Sequence, residues 1–115
     1  MCGICGIWHY QKQQQVDRSL LNLMTDAMRH RGPDEEGFYV SDDRFLGLGF
    51  RRLSIIDLAG SHQPMQDVEN TVSLVFNGEI YNYQSLRQQL NHHQFQTSGD
   101  TETILVLGEA DEKRA

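Results

Sequence analysis

The chain has 115 residues, enough for one small domain, and a hydrophobic content of 38% that permits a core of modest size. With 16 acidic against 10 basic residues the net charge is -6, which argues against nucleic acid as the main partner, because phosphate neutralisation needs clustered Lys and Arg. No stretch reaches the roughly 20 apolar residues of a membrane span and no basic start leads into an apolar run, so no membrane partner and no signal peptide are expected, and a soluble cytoplasmic protein is.

Residues 2–10 mix small and apolar positions and predict a buried strand. Gln11 to Gln15 is a polar turn. Val16, Leu20, Leu23, Met24, Ala27 and Met28 recur near helical spacing and predict a helix over 17–29, stopped by Gly32-Pro33. Phe38 to Val40 predicts a short strand. Phe45 to Phe50 predicts another, with glycines that allow close backbone approach. Ser54 to Ile56 either continues it or turns away.

Residues 59–70 read as a surface loop. Val72 to Phe76 predicts a strand, Asn77-Gly78 a tight turn, and Glu79 to Tyr81 its return strand. Tyr83 to Leu90 predicts a short helix through the Leu86 and Leu90 pair. Asp100 is placed to cap a last helix over 101–107, whose apolar face would be Ile104, Leu105 and Leu107. Strands and helices in this order fit an α+β fold rather than an alternating parallel sheet. Little sequence remains to cover the last helix, so the chain is expected to be incomplete at its C-terminus.

Two cysteines, Cys2 and Cys5, do not make a secreted disulfide scaffold, and a reducing compartment is expected. Cys2 is small enough for removal of Met1. That would leave a thiol and a free α-amine on one residue, with ordinary pKa values of about 8.5 and about 7.7–8.0. The amine can then serve as a built-in base while the thiolate attacks. Three other readings stand beside this one: an unremarkable buried cysteine, a redox pair with Cys5, and half of a zinc site. The redox reading lacks a preceding strand. The zinc reading lacks two further ligands at metal spacing among the histidines, so no metal is expected.

Asn77-Gly78 is either a plain turn or a pair of donors for an oxyanion. Arg51 and Arg52 are either a solvated basic pair at a strand end or a carboxylate clamp. Asp100 either caps a helix or receives an ammonium group, and Glu79 is either a turn residue or a second acid for the same amine. One cation and two acids are what recognition of a free amino acid requires. The segment Arg29-His30-Arg31-Gly32-Pro33-Asp34 reads as a rigid structural loop.

Six segments carry more together than apart: MCGICGI at the start, RHRGPD at 29–34, GFRRLSIIDL at 49–58, QPM at 63–65, FNGEIYN at 76–82 and SGDTE at 98–102. In this order they resemble the class II glutamine amidotransferase domain of asparagine synthetases, an N-terminal-nucleophile hydrolase. The resemblance implies a four-layer αββα sandwich and hydrolysis of L-glutamine to glutamate and ammonia through a glutamyl thioester. It implies Cys2 as nucleophile, and Asn77 and Gly78 as oxyanion hole. Arg52 would bind the substrate α-carboxylate, and Leu53, Ser54, Ile55 and Ile56 would line the glutamine pocket. Glu79 and Asp100 would lie near the substrate amino group.

The resemblance covers residues 1–107, and 108–115 reads as an atypical tail from truncation or a frameshift. No cofactor is implied for this segment. ATP, magnesium and the acceptor aspartate are implied for a synthetase domain beyond it, and a homodimer is compatible with the family. Related glutaminase domains that serve a sugar or peptide acceptor, or an inactive remnant of one, share the same pattern.

Overall fold

The computed structural model describes residues 2–53 and 62–114, with side chains through residue 108. The chain divides into two compact units, Met1–Asp57 and Leu58–Ala115.

The first unit contains β1 (Gly3–Trp8), α1 (Arg18–Ala27), β2 (Glu35–Val40) and β3 (Leu46–Arg52). They form an antiparallel sheet of order β1-β3-β2. The β2–β3 connection is closed by Asp43, whose carboxylate accepts the Ser41 hydroxyl at 2.6 Å and the Phe45 N–H at 3.0 Å. Those two bonds, the Ser41 bond foremost, hold the Asp43 carboxyl below its usual range. Arg44 takes the left-handed conformation, φ 64, that completes the turn.

Asp17 caps α1, accepting the N–H groups of Ser19 at 2.9 Å and Leu20 at 3.4 Å. The helix forms where periodicity predicts, but its buried stripe differs from the expected one. Leu21 and Thr25 are fully buried, with Met24 and Met28 half-buried beside them. Leu20 and Leu23, expected on the apolar face, are 48% and 66% exposed. The cause is β3, which offers α1 the bare backbone of Gly47 and Gly49. A Cβ at Gly47 would already stand 3.0 Å from Val16 and 3.2 Å from Leu21. The closest approach therefore goes to the 21–25 face. Thr25 is tolerated there because its hydroxyl bonds the Leu21 carbonyl at 2.9 Å.

The second unit contains β4 (Met65–Gln66), β5 (Ser73–Leu74), α2 (Tyr83–Gln89) and α3 (Thr101–Arg114). Its buried hydrophobic residues are Met65, Leu90, Leu105 and Val106. Three expectations are corrected here. Of the segment 59–70, residues 59–61 lie outside the described residues, and 62–70 is not only a surface loop, since it carries β4 and the buried residues Gln63, Met65 and Asp67. Asn77-Gly78 does not join a hairpin, because β5 pairs back to β4, with Met65 opposite Leu74. Asp67 decides this pairing: its carboxylate gathers the Thr71 and Val72 N–H groups at 2.7 and 3.0 Å and the Thr71 hydroxyl at 2.6 Å, closing the 67–72 turn. Finally, α3 runs to Arg114 and buries Leu105 and Val106, leaving Leu107 36% exposed.

Candidate active site

In the first unit the register of β1 on β3 sets the geometry. Gly3 lies opposite Arg51 and Cys5 opposite Gly49. Continued by one residue, the register puts Cys2 across from Arg52. Side chains alternate between the faces of a sheet. Odd positions of β1 and β3 face α1: the Cys5 Sγ reaches the Thr25 hydroxyl at 3.5 Å, and Gly3 would meet Met28. By the same alternation, Cys2 and Arg52 belong to the face away from α1. The alternation puts the two cysteines on opposite faces of the sheet.

Arg51 and Arg52 are not a solvated pair. They are 5% and 6% exposed, and each meets a glutamate directly opposite on β2. Arg51 reaches Glu36 at 2.9 Å and Arg52 reaches Glu35 at 3.1 Å. Cross-strand opposite charges at facing positions stabilise a ladder. A guanidinium keeps its charge at this degree of burial, so each pairing also fixes a permanent cation. The Arg51 Nε has no partner among the described residues.

The loop before β2 closes over the same end of the sheet. Asp34 N–H donates to the Arg52 carbonyl at 3.1 Å, and Pro33 makes an isolated bridge to Arg52. Arg31 Nε donates to the Cys2 carbonyl at 3.1 Å. The loop read as structural thus grips the backbone on both sides of the expected nucleophile and carboxylate clamp. Arg31, Glu35 and Glu36 were missed as neighbours of the site. Their only sequence signal was the charge density of 29–36.

In the second unit Asn77, Gly78 and Glu79 are exposed, with a bend at Gly78. Asp100 is half-buried, and its Oδ2 accepts the Ile80 N–H at 2.9 Å. The carboxylate expected to cap α3 is therefore committed to the segment that follows Asn77-Gly78-Glu79, and the fold brings these residues together. Leu53 is half-buried at the end of β3. Ser54, Ile55 and Ile56 lie outside the described residues.

The second unit also holds an open cavity of about 310 Å³, lined by Met65, Asp67, His93, Glu102, Leu105 and Val106 among others. None of the sequence-predicted site residues lines it. Its carboxylates are already satisfied, Asp67 by the 67–72 turn and Glu102 by the amides of Gln96 and Thr97. Among the described residues no three His, Cys, Asp or Glu side chains are grouped to hold a metal ion, and no helix is long and apolar enough to cross a membrane.

The model of the glutamine amidotransferase domain family matches residues 1–112. Asparagine synthetase [glutamine-hydrolyzing] 2 of Bacillus subtilis is 40% identical over 111 residues, which cover 95% of this chain and 15% of that protein. Asparagine synthetase B [glutamine-hydrolyzing] of Escherichia coli is 41% identical over 108 residues, 93% of this chain and 19% of that protein. Asparagine synthetase [glutamine-hydrolyzing] 3 of Arabidopsis thaliana is 38% identical over 109 residues, 95% of this chain and 18% of that protein. The chain thus spans less than a fifth of the length of these relatives.

Proposed function

The chain belongs to the glutamine amidotransferase domain family, and on that premise we propose that it hydrolyses L-glutamine to glutamate and ammonia with Cys2 as nucleophile. The observation that carries this reading is the strand register, Gly3 opposite Arg51, which continued by one residue sets Cys2 across from Arg52. A thiol and a permanently charged guanidinium at neighbouring positions suit attack on an amino acid held by its carboxylate.

In this reading Met1 is removed. The Cys2 α-amine takes the thiol proton, and the thiolate adds to the side-chain amide carbon of glutamine. The oxyanion that forms is met by the Asn77 side-chain amide and the Gly78 N–H. The carbon–nitrogen bond breaks, the amine returns its proton, and ammonia leaves behind a Cys2 thioester. Water activated by the same amine then releases glutamate and the thiolate. Arg52 holds the α-carboxylate, with Glu35 fixing the guanidinium. Leu53, Ser54, Ile55 and Ile56 form the pocket wall, and Glu79 and Asp100 receive the α-ammonium.

The complete domain, in this reading, is the αββα sandwich of N-terminal-nucleophile hydrolases, working in the cytoplasm where its thiol stays reduced. In a protein of the relatives' length the ammonia would amidate aspartate. ATP and magnesium would be held there by residues outside 1–115, and no step above is routed through them. A homodimer is part of the same proposal.

A diazo-ketone analogue of glutamine tests the site directly. Mass spectrometry after incubation should find one adduct, on Cys2 of a chain that lacks Met1. An adduct on Cys5, no adduct, or a chain that keeps Met1 would each overturn the reading.

A further inference from the structure

The segment that ends in Asp100 is held by two opposite charges that no role above accounts for. Arg87, in α2, donates from one guanidinium nitrogen to the Gly99 carbonyl at 2.8 Å and from the other to the Thr97 carbonyl. The same guanidinium lies over the Phe95 ring, 3.9 Å from its centroid. On the other side Glu102 accepts the Gln96 N–H at 3.0 Å, the Thr97 N–H at 2.7 Å and the Thr97 hydroxyl at 2.8 Å. Glu102 is 8% exposed, so these bonds are made largely out of water. A cation and an anion therefore hold two carbonyls, two N–H groups and one hydroxyl of residues 96–99 between them. Asp100 comes next, and its carboxylate is fixed on the Ile80 N–H, one residue after Glu79.

We propose that Arg87 is a positioning residue for substrate recognition, aiming the Asp100 carboxylate by clamping the two carbonyls that precede it. The proposal rests on the reading of Asp100 as an acceptor for the glutamine α-ammonium. Arg87 touches no substrate in it. Its planar fork fixes the Thr97 and Gly99 carbonyls at once, and so fixes the peptide from which the Asp100 side chain departs. A lysine has one nitrogen and no plane, so it keeps the charge and loses the fork. Glu102 closes the clamp from the opposite side.

The test uses the full chain with Arg87→Lys, Arg87→Ala and Asp100→Asn. Glutamine affinity is measured by calorimetry with Cys2→Ala in every chain, so that the ligand is not consumed, and exchange of the Ile80 amide by NMR. Both Arg87 variants should weaken L-glutamine binding by about tenfold, the factor that roughly 1.4 kcal/mol produces. The Ile80 amide should lose protection, while the amides of the β1–β3 ladder keep theirs. Free guanidinium should restore part of the affinity to Arg87→Ala and none to Arg87→Lys, where an amine occupies the space. Wild-type affinity in Arg87→Lys, or an unchanged Ile80 amide in either variant, would overturn the proposal. Asp100→Asn separates the two readings: if it leaves glutamine affinity unchanged, the glutamine role of Asp100 fails. If it weakens binding while Arg87→Lys does not, only the role of Arg87 fails.

Discussion

Replacing Gly32 by alanine adds one methyl group where the loop over 31–34 closes on the end of β3. The new Cβ would stand 2.5 Å from the Arg51 carbonyl carbon, 2.5 Å from the Arg52 nitrogen and 2.8 Å from the Arg51 oxygen. All three are backbone atoms, so no side chain can swing aside. Carbon atoms settle at about 3.5–4.0 Å, which requires the loop to withdraw by about 1 Å. Overpacking of this kind costs about 1–3 kcal/mol. Withdrawal also endangers the 3.1 Å bond from Asp34 to the Arg52 carbonyl, a further loss of about 1 kcal/mol. Alanine recovers about 0.4–1 kcal/mol by restricting the unfolded chain. The expected net loss is about 1–3.5 kcal/mol, read as a lower urea midpoint with an unchanged slope. Gly108→Ala is the matched control: nothing lies within 4 Å of its Cβ, and it sits inside α3. It should gain about 0.5–1 kcal/mol from helix propensity. Equal midpoints for the two variants would refute the steric account.

Three other outcomes are expected. Asp17→Ala should cost about 1 kcal/mol by removing the cap of α1, measured as helix loss and a lower midpoint in circular dichroism. The Asp67 carboxyl titrates below the ordinary carboxylate range: burial alone would raise it, but its bonds to Thr71 and Val72 outweigh burial. With the folded value below the unfolded one, Asp67 stabilises the fold above the unfolded pKa, and that contribution is lost as pH falls through the folded value. Urea midpoints followed into acid should therefore fall less steeply for Asp67→Asn than for the parent, from a lower starting point at neutral pH. Arg52→Lys keeps the charge but not the fork, and should raise the KM for glutamine more than it lowers kcat in steady-state hydrolysis.

The sequence showed α1 through its spacing of apolar residues, and β2 and β3 through short runs that the structure extends at one end. It showed the wrong stripe of α1, because the stripe was chosen by two glycines on another element. Leu21 wins over Leu20 by lying above Gly47, and Thr25 enters the core by bonding its own helix. The hairpin expected at Asn77-Gly78 failed for a related reason. A two-residue turn signal is local, whereas the Asp67 turn pairs β5 with β4. For the proposed site, the sequence named Cys2, Arg52, Asn77 and Asp100 as candidates. It did not name their supports. Glu35 and Glu36 become partners of Arg52 and Arg51 only through the β2–β3 register. Arg87 finds the Thr97 and Gly99 carbonyls only once α2 and the following loop are folded, and no spacing in the sequence announces it.

Trp8, the single tryptophan, is 70% exposed at the far end of β1 from Cys2, with its ring centroid 5.6 Å from that of Tyr10. An indole this exposed should emit near the maximum of indole in water, so melting the protein should shift the colour little and leave the fluorescence nearly blind to folding. The same property makes it a quiet beacon: a move of the emission to the blue reports that some surface has come to shelter that end of the strand.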